Sequence, residues 1–329
     1  MSSETIEWLN ENTRIGFAGK RGKAWHYREG AGNHFDDAVP LGEVEDLFGF
    51  TFEPRPIGYM SADGEWVEVG ERQAWVRSDT GYVGGIFSAA YEGHQYRPWL
   101  LDQVATLIDD ELQIGSAGLL RGGAQAWVQI EMPESVSTPE GVEFRPHLLA
   151  TTSFDGSLAT TYKRVATIVV CDNTRTMALG EKSDAIKVKH TKYSKLRLTD
   201  ARAALEIVHS MADVFSAEVA ELCATTVTDA QWERFVQSLA PVDDEIAKAG
   251  ITRNLEKRDV LERIYRVDER AAPWAGTAYG ALQAANTYQL HETQVRKGAH
   301  RWERIMAGTL SGQLERNETE TRELLMSVL

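Results

Sequence analysis

The sequence predicts an α+β protein: a mainly antiparallel sheet of hairpins with packed helices, followed by a helical C-terminal region. Three features point there. Alternating and β-branched segments fill much of residues 66–171, and tight-turn sequences separate them. These connections are too short for the helical crossovers of a parallel sheet. From about Thr199 the apolar residues switch to helical spacing.

Residues 1–65 hold several Gly and Pro with little periodicity and read as an irregular N-terminal arm. Residues 66–198 read as the α+β core, and 199–329 as the helical region. In the core, Gln73–Arg77 leads through the turn Ser78-Asp79-Thr80-Gly81 into Tyr82–Phe87, a hairpin. Leu100, Leu101, Val104, Leu107, Ile108 and Leu112 give Trp99–Leu112 a helical stripe. Gly122-Gly123 precedes a strand over Ala126–Met132, where Trp127, Gln129 and Glu131 alternate with Val128, Ile130 and Met132. After the turn Thr138–Gly141, Phe144–Ser153 runs to Asp155-Gly156, a strong hairpin signal, and Ser157–Arg164 returns. Val165–Cys171 is a β-branched run suited to a buried strand. Asp172-Asn173-Thr174 has the residue types of a helix N-cap.

In the last third, Ala201, Leu205, Val208, Met211, Ala212, Phe215, Val219 and Leu222 form one stripe. Thr228-Asp229-Ala230-Gln231 is a capping box. Asp243–Lys248, Asn254–Val267, Thr277–His291 and His300–Leu325 also read as helical, with Pro241 and Pro273 between them.

The 329 residues suffice for one large domain or two ordinary ones, and 43% hydrophobic with 26% charged content fits a globular chain. The longest mainly apolar run, Val165–Cys171, falls far short of the roughly 20 residues of a membrane helix. The start, MSSETIEWLN, lacks a secretory pattern, and two cysteines cannot build a disulfide framework. A reducing cytoplasm is the expected compartment. The formal charge of −14 opposes non-specific nucleic-acid binding by the whole surface. Residues 157–202, however, hold ten Lys or Arg against four acids, a surplus of six, which leaves −20 on the rest.

Catalytic signatures are lacking. There is no G-x-x-x-x-G-K-[ST], since Gly180-Glu181-Lys182-Ser183 has Glu where the motif needs Gly. Nor is there an H-E-x-x-H, a nucleophile elbow or dinucleotide glycine spacing. No cofactor is expected. His26 between Trp25 and Tyr27 reads as an arm fastener, His34 with Asp36 and Asp37 as a solvated loop, and Cys171 as a small core residue.

The segment Ile186–Arg197 is the most informative. Lys187 and Lys189 alternate with Ile186 and Val188, so they share one face of a strand. His190, Lys192, Lys195 and Arg197 continue it, Tyr193 offers a stacking ring, and Tyr162-Lys163-Arg164 could extend the same face. Such a mixture suits a nucleic-acid backbone with bases laid on rings. The competing reading is an edge strand guarded by lysines against aggregation.

Several pieces in order resemble a domain-of-unknown-function family of phage- and plasmid-encoded proteins. They are Ala24-Trp25-His26, Arg77-Ser78-Asp79-Thr80-Gly81, Leu120-Arg121-Gly122-Gly123 with Trp127, and Ser153-Phe154-Asp155-Gly156-Ser157. Val169–Thr174, Val188-Lys189-His190-Thr191 and Gly276–Leu282 with Asn286 complete the set. Where that family often has His before the Asp-Gly turn, this chain has Phe154. The resemblance implies a phage or plasmid origin and the cytoplasm of an infected bacterial host; it brings no catalytic residues. The hairpin-rich core also resembles that of Rad-fifty-two-like single-strand annealing proteins.

The expected function is single-stranded DNA binding and ATP-independent strand annealing in recombination or replication. Its partners would be single-stranded DNA, further copies of the chain, and host or phage replication proteins; no membrane is expected. Side-by-side subunits would join their basic strips, with the Thr277–His291 helix offering Tyr279, Leu282, Ala285 and Tyr288 as a contact face or packing them within its own domain. One alternative is a non-enzymatic host-interaction or regulatory protein. Another is a metal-dependent nuclease using Asp155, Asp172, Asp184 and His190.

Overall fold

The computed structural model describes residues 5–21, 27–110, 112–168, 173–175, 186–190, 201–243, 247–294 and 301–329. It is α+β: antiparallel sheets in the N-terminal half and helices in the C-terminal part. The chain forms two compact units that interleave in sequence. The first takes Met1–Pro133, His147–Arg164 and Lys182–Val208; the second takes Glu134–Pro146, Val165–Glu181 and His209–Leu329.

The first unit opens with α1 (Ile6–Glu11), β1 (Thr13–Ile15), α2 (Ala18–Arg21) and α3 (Leu41–Leu47). Thr5 caps α1 by accepting from the Trp8 backbone N–H at 3.1 Å. The stretch that reads as an irregular arm therefore carries short helices, and it also holds the first strand of a three-stranded sheet. That sheet runs β2 (Phe52–Met60), β3 (Trp66–Arg77) and β4 (Val83–Ser88) in spatial order.

The main sheet of this unit runs β1, β5 (Gln113–Leu120), β6 (Gln125–Glu131), β8 (Glu143–Ser153) and β9 (Thr160–Ile168). β11 (Ile186–Val188) pairs antiparallel with β9, placing Lys187 opposite Thr161. Gly118 faces Trp127 across β5 and β6, and a Cβ there would stand 2.0 Å from the indole, so the ring lies where any other residue would put its side chain. The core gathers Phe52, Trp75, Tyr96, Leu100, Val104, Ala126, Val128, Ile130 and Phe154. Phe154, the departure from the resembled family, is fully buried and stacks on Phe52 at 4.2 Å between ring centroids.

Three local expectations change. The Trp99–Leu112 stripe is helical only as a π-helical turn, Arg97–Leu101, followed by α4 (Asp102–Ala105). Beyond it, Leu107 and Leu112 are buried without helix, because Asp109 closes a turn by accepting from the Leu112 N–H at 2.8 Å. Asn173 and Thr174 cap no helix; they lie in β10 (Asn173–Arg175), which pairs with residues 166–168 of β9. The β-branched end of β9 thus takes a strand as partner. Ser157–Arg164 and Val165–Cys171 are not two strands, since β9 continues through both as far as Ile168.

In the second unit, β7 (Val136–Ser137) pairs with the first residues of β8. The helices are α5 (Ala201–Ala224), which belongs to this unit from His209 onward, α6 (Asp229–Leu239), α7 (Lys248–Val267), α8 (Ala278–Thr287), α9 (Arg301–Ser311) and α10 (Gln313–Val328). The capping box forms as the sequence predicts, with Thr228 and Gln231 bonded reciprocally. Gly312, at φ 69°, divides His300–Leu325 into two helices. All of α8 is buried in the core of its own unit, so Tyr279, Leu282 and Ala285 offer no face to another subunit. Among the described residues, no helix is long and apolar enough to cross a membrane.

Gly81 and Gly156 hold left-handed φ values of 71° and 74° at the two hairpin turns. A Cβ at Gly81 would meet open space, whereas at Gly156 it would lie 2.9 Å from the Phe87 ring. Gly81→Ala should cost only the backbone penalty, about 1–2 kcal/mol. Gly156→Ala should lower the melting temperature further, because ring displacement adds to it. Calorimetry of both variants checks this; equal melting temperatures would contradict it.

Candidate functional site

Strand β11 ends at Val188, and the next two residues divide their roles. Lys189 is exposed, while His190 turns inward and is half-buried. The His190 ring sits in a column of aromatic side chains from the first unit. Trp99 stacks on His94 at 3.6 Å between centroids, and His94 on His190 at 4.2 Å. His190 leans on Tyr91, which stacks on Phe87 at 4.1 Å.

Hydrogen bonds tie the column to the sheet. Tyr91 Oη is 2.5 Å from His190 Nδ1, and His190 Nε2 lies 3.1 Å from Thr152 Oγ1 and 3.3 Å from Thr160 Oγ1. Thr160 Oγ1 is also 2.7 Å from both Thr152 Oγ1 and His94 Nδ1. Two proton arrangements of opposite direction satisfy the set. In one, Tyr91 donates to His190 Nδ1, His190 Nε2–H donates to the threonines, Thr152 donates to Thr160, and Thr160 donates to His94. In the other, His94 Nδ1–H donates to Thr160, Thr160 to Thr152, Thr152 to His190 Nε2, and His190 Nδ1–H to Tyr91, whose own proton then serves the Ser153 carbonyl. Both histidines are neutral in either. Burial pushes the pKa of His190 down to about 4. Burial, and then the neighbouring His190, pushes that of His94 down to about 3.

A histidine beside a threonine hydroxyl has the parts of a base and a nucleophile. Thr152 and Thr160 are both fully buried, however, so in this geometry the network fastens β11 to the sheet.

Three tight turns that are remote in sequence meet next to this column. Arg77 pairs with Asp79 through both carboxylate oxygens, at 2.8 and 2.9 Å, and donates to the Gly122 carbonyl at 3.0 Å. Its guanidinium lies 3.7 Å over the Phe50 ring centroid. Gln125 donates to Asp155 at 2.9 Å and to Ser157 at 2.7 Å, and the Arg121 guanidinium stands 3.9 Å from Asp155. Arg121 itself has φ 55°, unusual for a residue with a side chain. The pieces containing Arg77, Arg121 and Asp155 thus bond to one another. Tyr91, whose hydroxyl lies 3.5 Å from the Ser153 carbonyl, carries the contact on to His190.

The predicted binding residues fall into distinct places. Lys189 is at the surface. Lys187 holds its strand position on β11, and Arg164 lies in β9. Tyr162 and Lys163 are corrected: both are buried. The Tyr162 hydroxyl donates to the Trp99 carbonyl and burial raises its pKa, so the ring belongs to the core and cannot stack on a base. Tyr162 packs in the core of the first unit. Lys192, Tyr193, Lys195 and Arg197 lie outside the described residues, as do His26, Cys171, Asp172 and Asp184. The remaining nuclease candidates are engaged elsewhere, Asp155 with Gln125 and Ser157, and His190 with Tyr91. Among the described residues, no group of three or more His, Cys, Asp or Glu is placed to hold a metal ion. His34 pairs with the Asn33 side chain at 2.9 Å.

Sequence reasoning missed Tyr91, His94, Thr152 and Thr160. None has a motif spacing; strand pairing brings Thr152 and Thr160 together, and the segment between β4 and the π-helical turn Arg97–Leu101 brings Tyr91 and His94 to them.

The family model for a domain of unknown function, DUF932, matches residues 84–307. No curated protein and no solved structure matches the chain.

The neutral histidine pair predicts a pH dependence of stability. In the unfolded chain each protonates near its ordinary 6.5, whereas in the fold they resist until about 4 and about 3. Unfolded protein binds more protons across that window, so stability present above pH 6.5 is lost as pH falls through it. Melting temperatures measured between neutral and acidic pH should show this fall, and His190→Gln should make it shallower.

Proposed function

This chain belongs to the DUF932 family, a domain of unknown function, and from that premise we propose that it binds single-stranded DNA along β11. One observation carries the reading. A basic strand, with Lys187 on β11 and Lys189 exposed beside it, is fixed to the sheet through His190. Backbone-directed binding needs positive groups held at a defined spacing, and their gain is the release of counterions from the nucleic acid. Charge distribution agrees with this, since residues 157–202 are positive in a chain that is otherwise strongly negative. With Tyr162 and Lys163 inside, the surface that touches DNA is narrower than the sequence suggests and begins at β11.

The finer assignment follows the sequence resemblance: a phage or plasmid protein acting in a bacterial cytoplasm, annealing strands during recombination or replication without ATP. Host or phage replication proteins would be its partners there. Strand annealing without a nucleotide requires only that two backbones be neutralised and their bases left accessible, which a shallow basic strip provides and a closed pocket does not.

Changing Lys187, Lys189 and Lys192 together to Ala should weaken binding of short oligonucleotides of every sequence alike. It should also flatten the dependence of log affinity on log salt by about 0.7 for each phosphate no longer neutralised. Fluorescence anisotropy over a salt series reads both. An unchanged affinity and slope would overturn the assignment.

A further inference from the structure

The distal part of β2 and β3 is a two-stranded ribbon with both faces in solvent. Ala74 and Trp75 are buried at its base, but β4 pairs with β3 only from Arg72 onward. Beyond that point, among the described residues, β2 and β3 pair only with each other, as in Gly58–Glu68, Tyr59–Val67 and Met60–Trp66. The tip closes with the Ser61 N–H donating to the Glu65 carbonyl at 2.7 Å. Tyr59 is 58% exposed, Met60 61%, Trp66 56%, Val67 37% and Val69 39%. The register puts Tyr59 with Val67 and Val69 on one face and Met60 with Trp66 on the other. An isolated ribbon of this kind is marginally stable in water, and exposed apolar side chains clustered at its tip mark a contact surface.

Charge selects the partner. Residues 57–71 contain Asp63, Glu65, Glu68 and Glu71 and no Lys or Arg. Such a surface repels nucleic acid and anionic lipid and fits an apolar surface set with basic residues. In this chain the surplus of positive charge lies in residues 157–202, where Ile186 and Val188 alternate with Lys187 and Lys189. Among the described residues, β11 pairs with β9, and the ribbon strands pair with each other and with β4. On β2, Pro54 and Pro56 remove N–H groups near the base, which leaves the acidic tip rather than the β2 edge as the contact.

We propose that the ribbon of one copy docks its acidic, aromatic tip on the basic β11 strip of a second copy. The contact joins two different surfaces of one chain, so it propagates head to tail and closes into a ring or extends as a row. It rests on the reading of β11 as a binding surface, and it deepens that reading. In the absence of DNA a neighbour's ribbon covers the strip, and a single strand, as the stronger polyanion, displaces it.

The test is light scattering of the full chain at micromolar concentration and low salt, with and without a short single-stranded oligonucleotide. Wild type should self-associate, and both high salt and the oligonucleotide should reduce its mass. Glu65→Lys with Glu68→Lys should weaken self-association by roughly tenfold or more, as like charges are brought together. These residues are exposed, and circular dichroism verifies that the variant folds. Adding Lys187→Glu with Lys189→Glu to that variant should restore association. A strict monomer, an unaffected charge-reversal variant, or no restoration in the swapped protein would overturn the proposal. Oligonucleotide affinity of the Glu65→Lys, Glu68→Lys variant, measured alongside, separates the two ideas. Retained DNA binding without self-association by wild type leaves the DNA reading standing alone. Self-association without DNA binding does the reverse.

Discussion

The hydroxyl of Thr160 is shared among Thr152, His94 and His190, at the point where β8, β9 and β11 meet. A buried hydroxyl gains only about 0.5–1.5 kcal/mol net from each bond it makes, but leaving a buried partner unpaired costs about 1–3 kcal/mol. The network therefore acts mainly as a constraint. Each of its members has one acceptable position, and losing any one strands the others. Through His190 that constraint reaches β11, whose three paired residues would otherwise hold weakly to the sheet edge. The stacked rings of Trp99, His94, His190, Tyr91 and Phe87 add dispersion and exclude water from the same bonds.

Electrostatics divides the molecule in a complementary way. Most of its acidic surplus lies away from the basic segment, and the β2–β3 ribbon concentrates acid beside exposed aromatic side chains. An acidic chain can hold a polyanion only where local positive charge outweighs the field of the remainder. A fixed strip does this better than mobile lysines, because ordering the cations in advance reduces the entropy cost of binding. Arg77 and Arg121 near the turns are already partnered by Asp79 and Asp155. They hold the turns together and contribute little net field.

The composition of the sequence was enough to indicate α+β class, the hairpins at Gly81 and Gly156, the Thr228 capping box and the strand at Ile186–Val188. These are local matters of period and turn chemistry, decided within a few residues. It was also enough to single out Lys187, Lys189 and His190. What it could not order was the role of each: His190 looked like one more cation, and in the fold it is a half-buried neutral anchor.

The tertiary structure decided the rest, because burial depends on what arrives from elsewhere in the chain. Tyr162 and Lys163 carry the residue types of a binding surface, but both are buried on β9, Tyr162 within the core. The stripe at Trp99–Leu112 satisfies a helical period, yet its later leucines are buried by a loop that turns at Asp109. Tyr91, His94, Thr152 and Thr160 are separated by up to 69 positions and share no motif; the pairing of β8, β9 and β11 brings Thr152 and Thr160 within hydrogen-bond reach of His190, and the segment after β4 brings Tyr91 to its Nδ1 and His94 onto its ring. Local sequence fixes which backbone shapes are cheap, whereas long-range strand pairing fixes which side chains lose their water.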